Sequence, residues 1–218
     1  MNLMVEIFKS EKIEDIYESK VIKEEDILEF NLTPEQMRPA YLIWKDHEEK
    51  KIYLFLRGSR SITDVITDLY CACTKFKSGF CHEGFLKSAN WFDLNLKSII
   101  EENLKTTNYQ LRIVGHSLGA GVGSILSILW KENFENLETF AFGCPSVLSL
   151  DLAEKTSNFI FTFINEFDLI PRLSIFTVKE LRKQVEEYES KNVQTMNSWR
   201  VKATKVIDQI NFKINYFI

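Results

Sequence analysis

The chain has 218 residues, of which 45% are apolar, and its formal net charge is −4. This length is enough for one domain with a sizeable core. The mild acidity excludes the basic field that attracts nucleic acid, so we expect no nucleic-acid partner. Residues 1–8 are too short, and charge follows them too soon, for a signal peptide, and no apolar run approaches the ~18 residues of a spanning helix. We therefore expect a single domain over 1–218, located in the cytoplasm or peripherally on membranes, with no transmembrane segment.

The first part of the chain, 1–37, is predicted to be an N-terminal helical segment. Spaced apolar residues among acids and lysines over 3–30 are typical of one or two amphipathic helices packed on the outside of a domain. Strands are expected over 41–44 and 52–56, separated by a charged turn. The string Arg57-Gly58-Ser59 ends the second of these strands abruptly.

In the rest of the chain, predicted strands alternate with predicted helices. The pattern predicts these elements in chain order: a β-hairpin over 69–76 and 80–85 that turns at 78–79, a helix over 85–104, a strand over 137–142, a helix over 147–156, a strand over 158–165 and a charged helix over 174–190. Strands separated by helices predict an α/β fold, with a mostly parallel central sheet and helices on both faces.

Three of the four cysteines, Cys71, Cys73 and Cys81, cluster around the predicted hairpin, and Cys144 stands apart. Their spacing is not a zinc pattern, and no loop carries the alternating acids that calcium needs, so we expect no metal. A disulfide across the hairpin stays geometrically possible. Reduced, buried thiols are the favoured alternative because no secretion signal is seen.

The most informative segment is 111–119, Leu-Arg-Ile-Val-Gly-His-Ser-Leu-Gly, in which an apolar strand runs into Gly-x-Ser-x-Gly. A helical pattern follows from residue 120, so the order is strand, tight turn and helix. That order presents a nucleophilic serine with its Oγ pointing outward, here Ser117. Gly115 and Gly119 leave room for neighbouring backbones to pass. A glycine-rich turn without chemistry is the competing interpretation.

A serine nucleophile also needs a base, an acid that orients the base, and donors for the oxyanion. In the α/β-hydrolase arrangement the acid follows the serine, just past the end of a later strand. Asp168 has this position, with Glu166 as the rival carboxylate and a turn-capping role as the alternative. The N–H groups of Ser59 and Leu118 are candidate oxyanion donors, although 57–59 also fits a plain strand-ending turn.

Six segments fall in a characteristic order: Arg38-Pro-Ala-Tyr-Leu-Ile-Trp-Lys-Asp46, Leu56-Arg-Gly-Ser-Arg-Ser-Ile-Thr-Asp-Val-Ile-Thr-Asp-Leu69, His82-Glu-Gly-Phe85, Val114-Gly-His-Ser-Leu-Gly-Ala120, Phe140-Ala-Phe-Gly-Cys-Pro145 and Asn165-Glu-Phe-Asp-Leu-Ile-Pro-Arg-Leu-Ser174. Together they resemble the class 3 lipase family, which includes fungal triacylglycerol lipases and diacylglycerol lipases. The resemblance covers about 38–200. The first and last segments resemble the diacylglycerol-lipase branch more.

This resemblance implies an α/β-hydrolase-like fold, with Ser117 as nucleophile, Asp168 as triad acid and Ser59 as an oxyanion residue. It also implies that 61–69 forms or borders a lid over the acyl groove, although a plain surface helix has the same pattern. The candidate lid residues are Ser61, Ile62, Asp64, Val65 and Ile66. The implied activity is that of an acylglycerol lipase, a serine hydrolase that cleaves a lipid ester at a membrane surface through an acyl-enzyme, with no cofactor.

The general base is not identifiable from the sequence. No histidine follows Asp168, where the family places its catalytic one. His116 belongs to the elbow, the tight turn between strand and helix that carries Ser117, and is expected to flank Ser117 on the wrong side of this turn. His82 matches a structural position of the family. His47 lies in a charged turn. Two explanations stay open: the chain lacks a terminal segment that carries the base, or it is an impaired lipase-fold pseudoenzyme that binds lipid or a partner. A peptidase or acyltransferase with the same elbow is a third interpretation.

Overall fold

The structure is a computed structural model, and it describes residues 7, 12–18, 22–35, 38–58, 73–173 and 175–191. The described elements in chain order are helix α1 (Ile13–Glu18), strands β1 (Ile27–Asn31), β2 (Tyr41–Asp46), β3 (Lys51–Leu56), β4 (Cys73–Phe76) and β5 (Gly79–His82), helix α2 (Glu83–Lys105), strand β6 (Gln110–His116), helix α3 (Leu118–Trp130), strand β7 (Glu138–Phe142), helix α4 (Leu150–Lys155), strand β8 (Ile160–Phe163) and helix α5 (Ile175–Lys191). Single 3₁₀ turns occur at Glu24–Asp26 and Ile170–Arg172.

The centre of the molecule is a six-stranded sheet in the order β1-β2-β3-β6-β7-β8. The pairs β1/β2 and β2/β3 are antiparallel, whereas β3/β6, β6/β7 and β7/β8 are parallel. In register, Leu56 pairs with Gly115, and His116 pairs with Phe142, which in turn pairs with Phe163. The carboxyl ends of the four parallel strands therefore meet at one edge of the sheet. The predicted mostly parallel sheet is confirmed.

One face of this sheet is covered by α2 and α3. Every residue of α3 except Leu129 is buried, which is typical of a helix enclosed between a sheet and a second helix. Its buried hydroxyls are satisfied within the helix, because Ser124 donates to the carbonyl of Ala120 at 2.8 Å. Ser127 donates to the carbonyl of Gly123 and also contacts the Thr139 hydroxyl. The helix can therefore carry polar side chains without unpaired groups in the core.

The opposite face packs against the N-terminal part of the chain. Ile16 of α1 and Ile7 are buried with Leu42, Trp44 and Phe55 in a second apolar cluster. Helices thus lie on both faces of the sheet, as expected. Within α1, Ile16 is buried whereas Glu14 and Asp15 are exposed. None of the helices in the described part of the chain has the length and hydrophobicity needed to cross a bilayer.

The expectation of a helical segment over 1–37 is wrong at its end, where β1 forms the antiparallel edge of the sheet. Ile27 pairs with Trp44, and Phe30 pairs with Leu42. A short apolar run such as Ile27-Leu28-Glu29-Phe30 fits both helical and extended periodicities, so its sequence alone does not decide between them. Pairing with β2, which lies far along the chain, decides for the strand.

Three further boundaries differ from the sequence-based expectation. The hairpin turns at 77–78 rather than 78–79, and α2 begins at Glu83 because His82 caps it, with its Nδ1 accepting from the Phe85 N–H. The helix expected over 147–156 begins only at Leu150. The carbonyl of Val147 accepts instead from the His82 N–H, and the Ser149 N–H donates to the Phe80 carbonyl. Pairing with β5 keeps this stretch extended.

Candidate active site

Ser117 lies in the single-residue turn between β6 and α3, with φ of 53° and ψ of −119°. A positive φ costs a residue with a Cβ on the order of 1–3 kcal/mol, and such strain concentrates at functional sites. The turn is held by backbone hydrogen bonds, since the Ser117 N–H donates to the Phe142 carbonyl at 2.9 Å and the Ser117 carbonyl accepts from Ala120 at 3.0 Å. The strand, turn and helix that Gly-x-Ser-x-Gly predicts are therefore present.

The two motif glycines lie where backbones make direct contact. A Cβ on Gly119 would lie 2.1 Å from the carbonyl oxygen of Leu56, and a Cβ on Gly115 would lie 2.5 Å from the carbonyl oxygen of Gly119. Any side chain at either position would push α3 away from the sheet. The elbow can therefore form only with glycine on both sides of Ser117.

The end of β3 lies against Ser117. A Cβ on Gly58 would be 2.8 Å from the Cβ of Ser117. Arg57 anchors this strand end, because its N–H donates to the Ala40 carbonyl at 2.8 Å and its guanidinium donates to the Leu32 carbonyl at 2.8 Å. Ser117, which contacts this strand end, is only 5% exposed.

The predicted oxyanion and lid residues divide into two groups. Leu118 is described, as the buried first residue of α3. Ser59 and the candidate lid residues lie outside the described residues, so their roles stay predictions; the lid residues are Ser61, Ile62, Asp64, Val65 and Ile66. Cys71 also lies outside the described residues.

Asp168 lies on the loop that follows β8, at the same edge of the sheet as Ser117. Its Oδ1 accepts from the Ile170 N–H at 3.0 Å, and a Cβ on Gly143 would lie 2.8 Å from its Oδ2. The guanidinium of Arg172 donates to the carbonyls of Asp168 and Glu166 and so closes the loop around the acid. The carboxylate of Asp168 is thereby directed towards the turn after β7.

The rival carboxylate, Glu166, has an exposed side chain and a positive φ of 40°. The Asp168 side chain is partly buried and lies next to the elbow residue His116, whose pKa it influences. These surroundings favour Asp168 over Glu166 as the acid.

The three histidines have different surroundings. His47 lies in the turn between β2 and β3, where its Nδ1 contacts the Tyr109 hydroxyl at 2.8 Å and its Nε2 contacts Asp26 at 3.2 Å. This turn is at the sheet edge opposite the elbow, because β6 begins there. His82 is buried at the start of α2. His116 is the last residue of β6 and directly precedes Ser117.

The described cysteines are free thiols, and burial makes two of them poor nucleophiles. Burial raises the pKa of Cys81 to about 11 and that of Cys144 to about 12, so both stay protonated at neutral pH. Cys73 is exposed at the start of β4. Within the described ranges, no group of three or more His, Cys, Asp or Glu side chains is arranged to hold a metal ion. Ser117 is thus the candidate nucleophile at this edge.

The chain resembles known proteins over this same region. Residues 53–178 match the family model described as lipase (class 3). Diacylglycerol lipase-beta of Mus musculus is 29% identical over 155 residues, which is 66% of this chain and 23% of that protein. Diacylglycerol lipase-alpha of Homo sapiens is 30% identical over 179 residues, 74% of this chain and 17% of that protein. The chain therefore spans about a fifth of the length of these two relatives.

Solved structures show the same fold. The Rhizomucor miehei lipase in its propeptide complex superposes with a TM-score of 0.65 and 22% identity, covering 81% of this chain and 63% of that one. The chain has an α/β-hydrolase-like fold and belongs to the class 3 lipase family.

Proposed function

We propose that this chain carries the catalytic core of an acylglycerol lipase, which hydrolyses a lipid ester through an acyl-enzyme on Ser117. The observation that carries the proposal is the strained elbow at Ser117, with φ of 53°, inside the region that matches the lipase family. Strain of this size persists only when the surrounding structure holds it, and it is concentrated at functional sites.

The reaction follows from the groups around Ser117. The Oγ attacks the ester carbonyl, and the resulting oxyanion accepts hydrogen bonds from the N–H groups of Leu118 and Ser59. The position of Leu118 supports this role, because the first N–H groups of a helix have no acceptor within it. The contact of Gly58 with Ser117 supports the second donor, which comes next in the chain. Water then releases the fatty acid.

The surface around Asp168 is consistent with a lipid substrate. Phe167 and Leu169 flank Asp168 on its loop, and Phe167 is 91% exposed. Exposed apolar side chains beside a reaction centre are typical of surfaces that meet an apolar partner. We therefore propose that the substrate is an acylglycerol presented at a membrane surface. A cytoplasmic or membrane-peripheral location stays a prediction.

The proposal is tested by measuring fatty-acid release from diacylglycerol in phospholipid vesicles. We expect Ser117→Ala to lower the rate on the order of 10⁴-fold, as removal of a triad member does in serine hydrolases. Ser98→Ala, at an exposed position of α2, serves as the matched control and should leave the rate unchanged. Vesicle binding without fatty-acid release by the wild-type chain would contradict the proposal, as would cleavage of peptide but not ester substrates.

A further inference from the structure

Exposed apolar side chains are concentrated on the acid loop, the stretch 164–169 that follows β8 and carries Asp168. Phe167 is 91% exposed, and Ile164 and Leu169 are each 51% exposed. Single apolar residues on a surface need no explanation, but three of them within six consecutive residues form a patch of the kind that marks an interaction site. The acid loop therefore has the composition of a surface that meets a partner.

Hydrogen bonds hold the backbone on both sides of Phe167. The Asp168 N–H donates to the Asn165 carbonyl at 2.8 Å. The guanidinium of Arg172 donates to the Glu166 carbonyl at 3.1 Å and also to the carbonyl of Asp168. A backbone change that buried Phe167 would break these bonds, so the exposure of its ring follows from the conformation in which the loop is held.

The apolar surface of the loop continues onto the end of β8, at the edge of the sheet that carries Ser117. Phe163, the last residue of β8, is 46% exposed, and its ring stacks on that of Phe142 at 4.8 Å. The carbonyl of Phe142 accepts from the Ser117 N–H. A partner that covers the acid loop and the end of β8 therefore lies next to the candidate site.

The charges around this surface indicate an apolar partner rather than an anionic one. The stretch 161–173 contains two acidic residues, Glu166 and Asp168, and one basic residue, Arg172. The guanidinium of Arg172 already donates to two backbone carbonyls of the loop. Attraction to anionic headgroups depends on clusters of lysine and arginine, which this stretch does not contain. Contact with the acyl chains of a bilayer depends instead on buried apolar area.

We propose that the acid loop is a membrane-docking element, which inserts Phe167 and its apolar neighbours Ile164 and Leu169 among the acyl chains at a bilayer surface. This inference rests on the proposed function, because it names the surface through which that same site meets its lipid substrate. Phenylalanine and leucine are typical of protein segments that bind in the membrane interface. Insertion beside Asp168 places the edge that carries Ser117 at the bilayer surface, where the ester groups of acylglycerols lie.

The test measures co-sedimentation with phosphatidylcholine vesicles, with far-UV circular dichroism to confirm folding of each variant. We expect the wild type to bind and Phe167→Asp to bind on the order of 10- to 100-fold more weakly, because the transfer of one phenylalanine side chain out of water is lost. Leu94→Asp makes the same kind of change at an 83% exposed leucine of α2, and this matched control should bind like the wild type. Added phosphatidylserine should not strengthen the binding.

A second measurement locates the loop in the bilayer. On vesicle binding, Phe167→Trp should gain fluorescence that brominated acyl chains quench, relative to the wild type, and Leu94→Trp should not. Absence of wild-type binding would overturn the choice of a lipid partner, and equal binding of Phe167→Asp, or no added quenching in Phe167→Trp, would overturn docking through this loop. Neither readout involves Ser117, so docking through Phe167 without fatty-acid release would contradict the proposed function alone.

Discussion

Gly143 has a φ of +55° and lies directly after β7, between the elbow and the acid loop. A side chain there would meet the Asp168 carboxylate, since its Cβ would lie 2.8 Å from Oδ2. We predict that Gly143→Ala displaces the acid and lowers ester hydrolysis at least tenfold, while left-handed strain destabilises the fold by about 1 kcal/mol.

The control for this prediction is Gly123→Ala, which alters a glycine of α3 whose Cβ would meet the Ile113 side chain at 2.9 Å, in the core and away from Asp168. Initial rates and urea unfolding of both variants separate the two effects. An unchanged hydrolysis rate in folded Gly143→Ala would show that the position of Asp168 does not matter.

At the residue scale, the sequence was sufficient to predict the positions of some site residues but not the surroundings of others. Ser117 and its flanking glycines could be predicted because the motif is local and its geometry follows from adjacent backbone. The position of Asp168 just past a strand end could be predicted from the apolar run that precedes it. The neighbours of the His116 ring could not be predicted, because Gly58 and Gly143 follow separate strands and come near the ring only in the folded chain.

At the scale of elements, the packing of α2 against α3 holds α3 on the sheet. Phe85, in the first turn of α2, is fully buried, stacks edge-on against the His82 ring and faces Gly121 of α3. We predict that Phe85→Ala lowers the free energy of unfolding by about 3–5 kcal/mol, because it leaves a cavity between the helices. Leu94→Ala is the matched control on the same helix.

Leu94 is 83% exposed, so its replacement should change the free energy of unfolding by no more than about 0.5 kcal/mol. Urea titrations of both variants provide the comparison. A small effect of Phe85→Ala, similar to that of Leu94→Ala, would contradict the packing of α2 on α3.

Elements were predictable where their pattern is long. The 23-residue helix α2 and the charged helix α5 could both be predicted to within a few residues of their ends. Shorter runs were ambiguous. The strand β1 has five residues, and the late start of α4 depends on hydrogen bonds with β5, so both are decided by partners distant in sequence.

At the scale of the whole molecule, two apolar clusters lie on the two faces of one sheet, and the parallel strands between them end at a common edge. That edge brings together the ends of β3, β6, β7 and β8, and with them Gly58, Ser117 and Asp168. The fold class could be predicted from the alternation of strands and helices. The candidate site is a product of the sheet order, which places residues from four strands side by side.

The central claim is that Ser117 carries the acyl group. Its most direct test is to mix the protein with a p-nitrophenyl fatty-acid ester, quench in acid, and locate the adduct by peptide mass spectrometry. The account predicts an acyl group on Ser117 that disappears as hydrolysis proceeds and never forms in Ser117→Ala. An acyl group on another residue, or ester hydrolysis by Ser117→Ala at the wild-type rate, would contradict it.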